Sequence, residues 1–303
     1  MTSMSARVLR AVFRVKLRRD GMTPDEAVRH FRRELNGAGL PRVMARGTVW
    51  SYEELAGVRV GRVGSGASSG SGQGRVMLYL HGGGYVAGKV ETYANLVSRW
   101  AAQLGAEVWL PDYRLAPEHP YPAGLDDAQA CYFALLERGV DPSRLVVAGD
   151  SAGGGLALAL LLRLRDGGHP LPACAVVMSP AGDITCSGEA MEGNDGRDPM
   201  LSASQVRLLR GLYAPDADPE DPYVSPVVGD YTGLPPLYLT VDEEECLYDS
   251  ARVVAERAAE AGVDVTLRTR TAAVHVWPVF VPWLAEARED VPVMGAWMAA
   301  RLG

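Results

Sequence analysis

Cysteine is sparse and scattered in this chain. The 303 residues hold four, Cys131, Cys174, Cys186 and Cys246, with no Cys-x-x-Cys pair among them. That spacing argues against a disulfide framework and a thiol-rich metal centre, and it suits reduced thiols in a cytoplasmic protein. Histidine is equally thin. His30, His81, His119, His169 and His275 show no paired ligand spacing. No metal site is therefore expected, and the chemistry read below requires no organic cofactor. Basic charge is not in excess. The 30 Lys and Arg against 37 Asp and Glu leave a net charge of −7, which gives nucleic acid no footprint. No apolar run reaches membrane-spanning length, and no internal repeat is visible.

Between Met1 and Asp20, Arg7, Arg10, Arg14, Lys16, Arg18 and Arg19 interleave with Val8, Leu9, Val12, Phe13, Val15 and Leu17. This stretch has no uninterrupted apolar segment and no small-residue cleavage site, so neither a secretory signal nor a stable membrane anchor is expected. A basic amphipathic helix of this kind can touch a membrane surface. Packing on the entrance of its own protein is the reading we favour.

What is present is a soluble globular composition, 48% hydrophobic and 22% charged. Residues 1–46 read as helical, with Thr23 as N-cap, Pro24 at the first helical position and a stop at Asn36-Gly37. No strand pattern precedes Val49. Residues 64–74 are a Gly/Ser-rich loop, read as an exposed hairpin connection between strands at 58–60 and 76–80. Further strands read at 107–110, 145–148, 174–178, 236–241 and 265–269. Helices read at 91–104, 125–138, 152–166, 203–213, 249–261 and 290–301. Apolar strands alternating with helices predict an α/β fold with a mostly parallel sheet flanked by helices on both faces. The segment 182–221 breaks the rhythm, with one helix and no strand. Such insertions in α/β enzymes usually sit over the site.

The chemistry begins at Gly149-Asp150-Ser151-Ala152-Gly153, where a β-branched strand runs into an alanine- and leucine-rich helix. A serine on a sharp strand-to-helix turn leaves no room for a Cβ two residues before or after it. Gly-x-Ser-x-Gly in this context is the nucleophile elbow pattern. A serine hydroxyl needs a base to take its proton, a carboxylate to hold that base, and donors for the oxyanion formed on attack. His81-Gly82-Gly83-Gly84-Tyr85 follows the strand ending at Leu80, and its glycines can turn backbone N–H groups into a cavity. The N–H of Ala152 would be the second donor. His81 is read as stiffening this loop by hydrogen bonds. After Ser151 only His169 and His275 remain. His169 lies in a polar turn and is expected at the surface. His275 follows the last strand, where the base of such a site belongs. The acid is ambiguous, because Asp242, Glu243, Glu244 and Glu245 run together and Asp249 follows.

These motifs, with the run from Asp112 to Ala123 (Asp-Tyr-Arg-Leu-Ala-Pro-Glu-His-Pro-Tyr-Pro-Ala), resemble the hormone-sensitive lipase family of α/β-hydrolases, the bacterial family IV esterases. The resemblance extends from about Val49 to the end. It implies an α/β-hydrolase fold, with residues 1–46 and the insertion 182–221 as a cap on a catalytic domain spanning 47–303. The 112–123 run is structural in the family, so His119 takes no catalytic role. The family's acid motif, acid-x-Leu-x-Asp, is matched by Glu245-Cys246-Leu247-Tyr248-Asp249, which makes Glu245 the acid and Asp242 the runner-up. Oxyanion donors are implied at Gly83, Gly84 and Ala152, with Gly82 a further candidate, and Asp150 is expected to hold the elbow. Ala272-Ala273 replaces the Gly-Met often seen before the histidine.

The expected activity is hydrolysis of a small or short-chain carboxylic ester, lactone or acetylated metabolite through a Ser-His-Glu triad and an acyl-enzyme. Two alternatives are a small-molecule receptor that keeps the fold, and a specialised deacetylase or lactonase. The small-molecule substrate is the main partner expected. Relatives often pair as homodimers through the sheet edge near the C-terminus. Arg7, Arg10 and Arg14 are expected to favour anionic or polar substrates.

Overall fold

A computed structural model describes residues 2–36, 41–65 and 74–303. Eight strands form one sheet. In chain order they are β1 (Thr48–Leu55), β2 (Val58–Ser65), β3 (Arg75–Leu80), β4 (Ala106–Pro111), β5 (Leu145–Asp150), β6 (Cys174–Met178), β7 (Leu237–Asp242) and β8 (Val265–Arg270). Their spatial order is β1-β2-β4-β3-β5-β6-β7-β8. Strand β2 runs antiparallel to both its neighbours, and every other pairing is parallel.

This order corrects the reading of the Gly/Ser-rich stretch. Strands β2 and β3 are separated by β4, so the two do not form a hairpin. Residues 66–73 of that stretch, like Gly37, lie outside the described residues. The hairpin is instead β1–β2. Leu55 pairs with Val58 around Ala56 and Gly57, both at positive φ (53° and 78°). A two-residue turn of that hand matches the right-handed twist of the strands it joins.

The helices are α1 (Met4–Lys16), α2 (Pro24–Asn36), α3 (Ala94–Leu104), α4 (Ala123–Glu137), α5 (Ser151–Asp166), α6 (Glu189–Gly193), α7 (Ala203–Tyr213), α8 (Tyr248–Glu260) and α9 (Ala285–Ala299). Insertion 182–221 therefore carries two helices, the first a short one that the sequence pattern passes over. Helix α9 begins earlier than its pattern and contains Pro292.

Side chains alternate across the sheet as a period of two requires. Leu78, Leu80, Val147, Val177 and Leu239 face one core, together with α4, α5 and α8. Met77, Tyr79, Val146, Val176 and Met178 face the other, with α3 and α9. Helix α5 is apolar all round from Ala152 to Leu162 and is buried throughout that stretch. At about 1.5–3 kcal/mol per buried leucine, this helix is a main anchor of the elbow at its N-terminus. The C-terminal ends of β3, β5, β7 and β8 open toward one side of the sheet. Ligands of open α/β sheets bind on that side.

Helix α1 is tied to the rest of the chain. Ser3 Oγ donates to Glu286 (2.8 Å), and Phe13 lies 5.1 Å from Phe280, ring to ring. Its outward face exposes Met4, Val8, Val12 and Val15. Among the described residues no helix is long and apolar enough to cross a membrane.

Candidate active site

Ser151 sits at the junction of β5 and α5 with φ 50°, a left-handed conformation uncommon for serine. The flanking glycines are what permit it. A Cβ on Gly149 would lie 2.3 Å from the carbonyl oxygen of Gly153, and one on Gly153 would lie 2.1 Å from that of Leu80. These contacts are backbone to backbone, so nothing flexible can move aside.

The Ser151 hydroxyl lies 2.9 Å from His275 Nε2. His275 Nδ1 meets Glu245 Oε2 in a short hydrogen bond. A carboxylate at Nδ1 holds the proton there and leaves Nε2 as the acceptor facing the serine. Glu245 is 1% exposed, and its other oxygen accepts from Ser179 Oγ and from the Asp242 N–H, both at 2.7 Å. Burial alone would disfavour an imidazolium at His275. The adjoining Glu245 carboxylate, together with the charges of Asp198 and Asp150, outweighs it and raises the pKa above the ordinary 6.5.

The run of acids sorts by contact. Asp242 does not reach the imidazole. Its carboxylate accepts from the Ala273 N–H (2.6 Å) and the Glu244 N–H (2.9 Å), pinning the loop of His275 to that of Glu245. Burial and the neighbouring Glu245 push Asp242 up to about 7. Glu243 accepts from Thr269 and Thr271, and Glu244 pairs with Arg10 and Arg197. Asp249 accepts from the Ala190 N–H (2.7 Å) at the start of α6.

The glycine loop after β3 carries Gly83, Gly84 and Tyr85 at φ 130°, 63° and 65°. Gly83 and Gly84 border the same cavity as Ser151. Ala152 lies in the first turn of α5, where a helix offers its N–H no acceptor of its own. Gly82 differs from its neighbours. Its N–H already donates to Asp150 Oδ1 and Tyr93 Oη, both at 2.9 Å, which removes it as an oxyanion donor. Asp150 also accepts from Tyr79 Oη (2.8 Å) and Tyr93 Oη (3.2 Å), so one buried carboxylate ties the glycine loop to the elbow. Burial pushes Asp150 up to about 6 despite these donors.

His81 is fully buried, with Nδ1 2.9 Å from the Gly82 carbonyl and its ring stacked on Tyr113 at 4.3 Å. Burial lowers its pKa, which keeps the ring neutral. Tyr113, from the 112–123 run, donates to the His81 carbonyl (2.6 Å), and the Ala116 N–H donates to that of Tyr85 (2.9 Å). His119 and His169 are exposed.

Residues 77–279 match the α/β-hydrolase-fold family. A crystal structure of an esterase from the bacterial hormone-sensitive lipase family superposes with a TM-score of 0.89. It is 35% identical, and both chains are covered completely. The chain belongs to the hormone-sensitive lipase family of α/β-hydrolases. An acetyl-hydrolase of Streptomyces hygroscopicus is 43% identical over 230 residues, 76% of this chain and 77% of its own. An esterase of Acinetobacter venetianus is 34% identical over 236 residues, 78% of this chain and 77% of its own.

In this hydrolase the cavity over Ser151 holds about 140 Å³ and is mostly apolar. The expected cap segments, 1–46 and 182–221, supply less than half of its lining residues. They supply Leu17, Phe31 and Leu35, and Met200, Leu201, Val206, Leu209 and Arg210, which is eight of 21 lining residues. The rest come from the end of β5 and from the segments that follow β3, β5, β6, β7 and β8. Val276, Val279 and Phe280, just past the histidine, form a wall that the sequence reading passed over.

The expected role of the N-terminal arginines is also revised. None of Arg7, Arg10 or Arg14 borders the cavity. Arg10 donates to Glu244 and to the carbonyls of Ala273 (2.9 Å) and Arg197 (3.0 Å), and Arg14 donates to that of Gly196 (3.1 Å). Arg10 and Arg14 fasten α1 to neighbouring loops, Arg10 to those carrying Glu245 and His275.

Three supporting residues escaped the sequence reading. Ser179 bridges Glu245 and the Val276 N–H (3.3 Å). Asp198, fully buried and pushed up by that burial, accepts from Met200, Leu201 and Cys246 N–H groups at 2.8–3.0 Å. Asn194 donates to the carbonyls of Glu243 (2.9 Å) and Glu245 (3.1 Å). Asp198-Pro199 is a turn signal, but nothing in it names a partner 48 residues away.

Proposed function

We propose that this hydrolase cleaves small carboxylic esters through an acyl-enzyme on Ser151. The observation that carries the reading is the hydrogen-bonded chain from Ser151 to His275 to Glu245 at the floor of a mostly apolar cavity. Ser151 Oγ attacks the ester carbonyl carbon as His275 Nε2 takes its proton. The oxyanion is met by N–H groups of Gly83, Gly84 and Ala152. His275 returns the proton to the departing alkoxide, leaving an acyl-serine and a free alcohol. A water then attacks the acyl carbonyl with His275 again as base, releasing the carboxylic acid. Glu245 keeps the imidazole in the right tautomer and offsets its charge.

The cavity's volume supports a short acyl chain. A water takes up about 30 Å³, so 140 Å³ holds on the order of five waters, about the size of the acyl end of a small ester. The names of the acetyl-hydrolase and esterase relatives point the same way. A receptor on this fold would not need serine, imidazole and carboxylate in one hydrogen-bonded chain. Turnover of p-nitrophenyl acetate and butyrate by the native protein and by Ser151→Ala tests the proposal. Native turnover that the variant loses is expected. Turnover that survives in Ser151→Ala, or a native protein without turnover, would overturn it.

A further inference from the structure

Arg210 is an anomaly in this cavity. It lies on α7, borders the same space as Ser151 and His275, and is 4% exposed. Its Nε and Nη2 are buried without a hydrogen-bond partner, and no carboxylate among the described residues pairs with it. A buried guanidinium without acceptors costs several kcal/mol. Tyr85 and Cys186 feel its charge. Burial pushes Tyr85 up to about 12 and raises Cys186 as well, so neither supplies a negative partner at neutral pH.

The charge is also held rigidly. Ser202 and Gln205 form a reciprocal cap at the start of α7, and Gln205 Nε2 donates to the Leu17 carbonyl at 2.8 Å. Tyr213, one turn on, stacks on Tyr85 with ring centres 3.7 Å apart. Leu209 leans on Gly84, so close that a Cβ there would lie 2.7 Å from it. Arg210 therefore stands beside the glycine loop on a fixed element. The cavity around it is lined by Leu209, Val206, Leu201 and Phe31, which leaves an ion pair formed there little screened.

We propose that Arg210 is a specificity-determining residue and that the substrates of this esterase carry a carboxylate. That group supplies the acceptors the guanidinium lacks, as two charge-assisted hydrogen bonds. The proposal rests on the esterase reading of Ser151. It also relocates the preference for anions from the N-terminal arginines to the cavity wall.

The test compares matched esters with the full-length protein. The carboxylate is placed on the acyl side (the p-nitrophenyl hemiester of glutaric acid against p-nitrophenyl valerate) and on the alcohol side (4-acetoxybutanoate against butyl acetate). In at least one pair the native enzyme is expected to favour the carboxylate by roughly tenfold or more in kcat/KM. Arg210→Met should lower that ratio roughly 10- to 100-fold, mainly through KM, and Arg210→Lys should restore part of it. If Arg210→Met does not fold, the ratio in Arg210→Lys decides instead, and it should fall below the native one. A native enzyme that cleaves the neutral esters without favouring either carboxylate overturns this proposal alone. So does a preference that survives in both variants, or, where only Arg210→Lys folds, a ratio unmoved by that change. A native enzyme that cleaves none of the esters overturns the esterase reading and this one with it.

Discussion

Replacing Glu245 with glutamine separates the two candidate acids. Glu245 makes three contacts through two oxygens, to Ser179, the Asp242 N–H and His275 Nδ1. Glutamine is nearly isosteric, and its carbonyl oxygen can keep the Ser179 and Asp242 donors. Its NH2 then faces Nδ1 and demands an acceptor there. The imidazole proton moves to Nε2, where it points at Ser151 and cannot be exchanged for the serine's. A tautomer error of this kind costs about 10⁴ in kcat, or about 5.5 kcal/mol of transition-state stabilisation. Asp242→Asn changes no contact to the ring. Its amide oxygen can keep one of the two backbone donors, so a loss of less than about tenfold is expected. The assay is kcat and kcat/KM on p-nitrophenyl butyrate for both variants, with circular dichroism to confirm folding. Equal losses in the two variants, or more than a tenth of native kcat in Glu245→Gln, would refute the assignment.

Other expectations follow from the same geometry. Activity needs a neutral His275, so kcat/KM should rise with pH through the histidine's pKa, with a midpoint above 6.5 because Glu245, with Asp198 and Asp150, outweighs burial; the residual activity of Glu245→Gln should show that limb at lower pH. Asp242 is raised in the folded state to about 7, so the native state holds its proton where the unfolded chain has lost it, and stability should fall as pH rises from about 4 to 7. Asp242→Asn removes that contribution, so melting temperatures at pH 5 and pH 8 should differ less in the variant than in the native protein; an unchanged difference would count against it. Gly153→Ala drives a methyl into the Leu80 carbonyl and should abolish folding or cost at least 100-fold in activity. Arg10→Ala should lower the melting temperature and raise KM for neutral and anionic esters alike, since Arg10 holds loops and does not border the cavity. A selective loss on anionic esters would contradict that.

The parts legible in the sequence are those whose cause is local. The glycines around Ser151 announce a steric constraint at the turn itself, and the strand and helix around them follow from a short β-branched run giving way to one rich in alanine and leucine. The sheet's order is a different matter. The Gly/Ser-rich stretch looked like a hairpin because strands near in sequence are often near in space, yet β4 inserts between β2 and β3. The acid run could not be sorted by composition. Asp242 and Glu245 are both buried, and only their separate contacts, to the Ala273 N–H and to the imidazole, distinguish them. Ser179, Asp198 and Asn194 act through hydrogen bonds across 48 to 97 positions, and side-chain identity at one end says nothing of the other. Arg210 was hidden in the same way. On α7 it reads as an ordinary helical arginine, and only the fold turns it inward without a partner.

The central claim is that Ser151 forms the covalent intermediate. The direct measurement is mass spectrometry of peptides after reaction with a fluorophosphonate, which phosphonylates an activated serine and releases fluoride. One adduct is expected on the peptide carrying Ser151, formed in step with loss of p-nitrophenyl butyrate turnover. Its formation should slow sharply in His275→Ala, and the adduct should be absent in Ser151→Ala. An unlabelled Ser151 in the native protein, or inactivation accompanied by an adduct on another residue, would contradict the account.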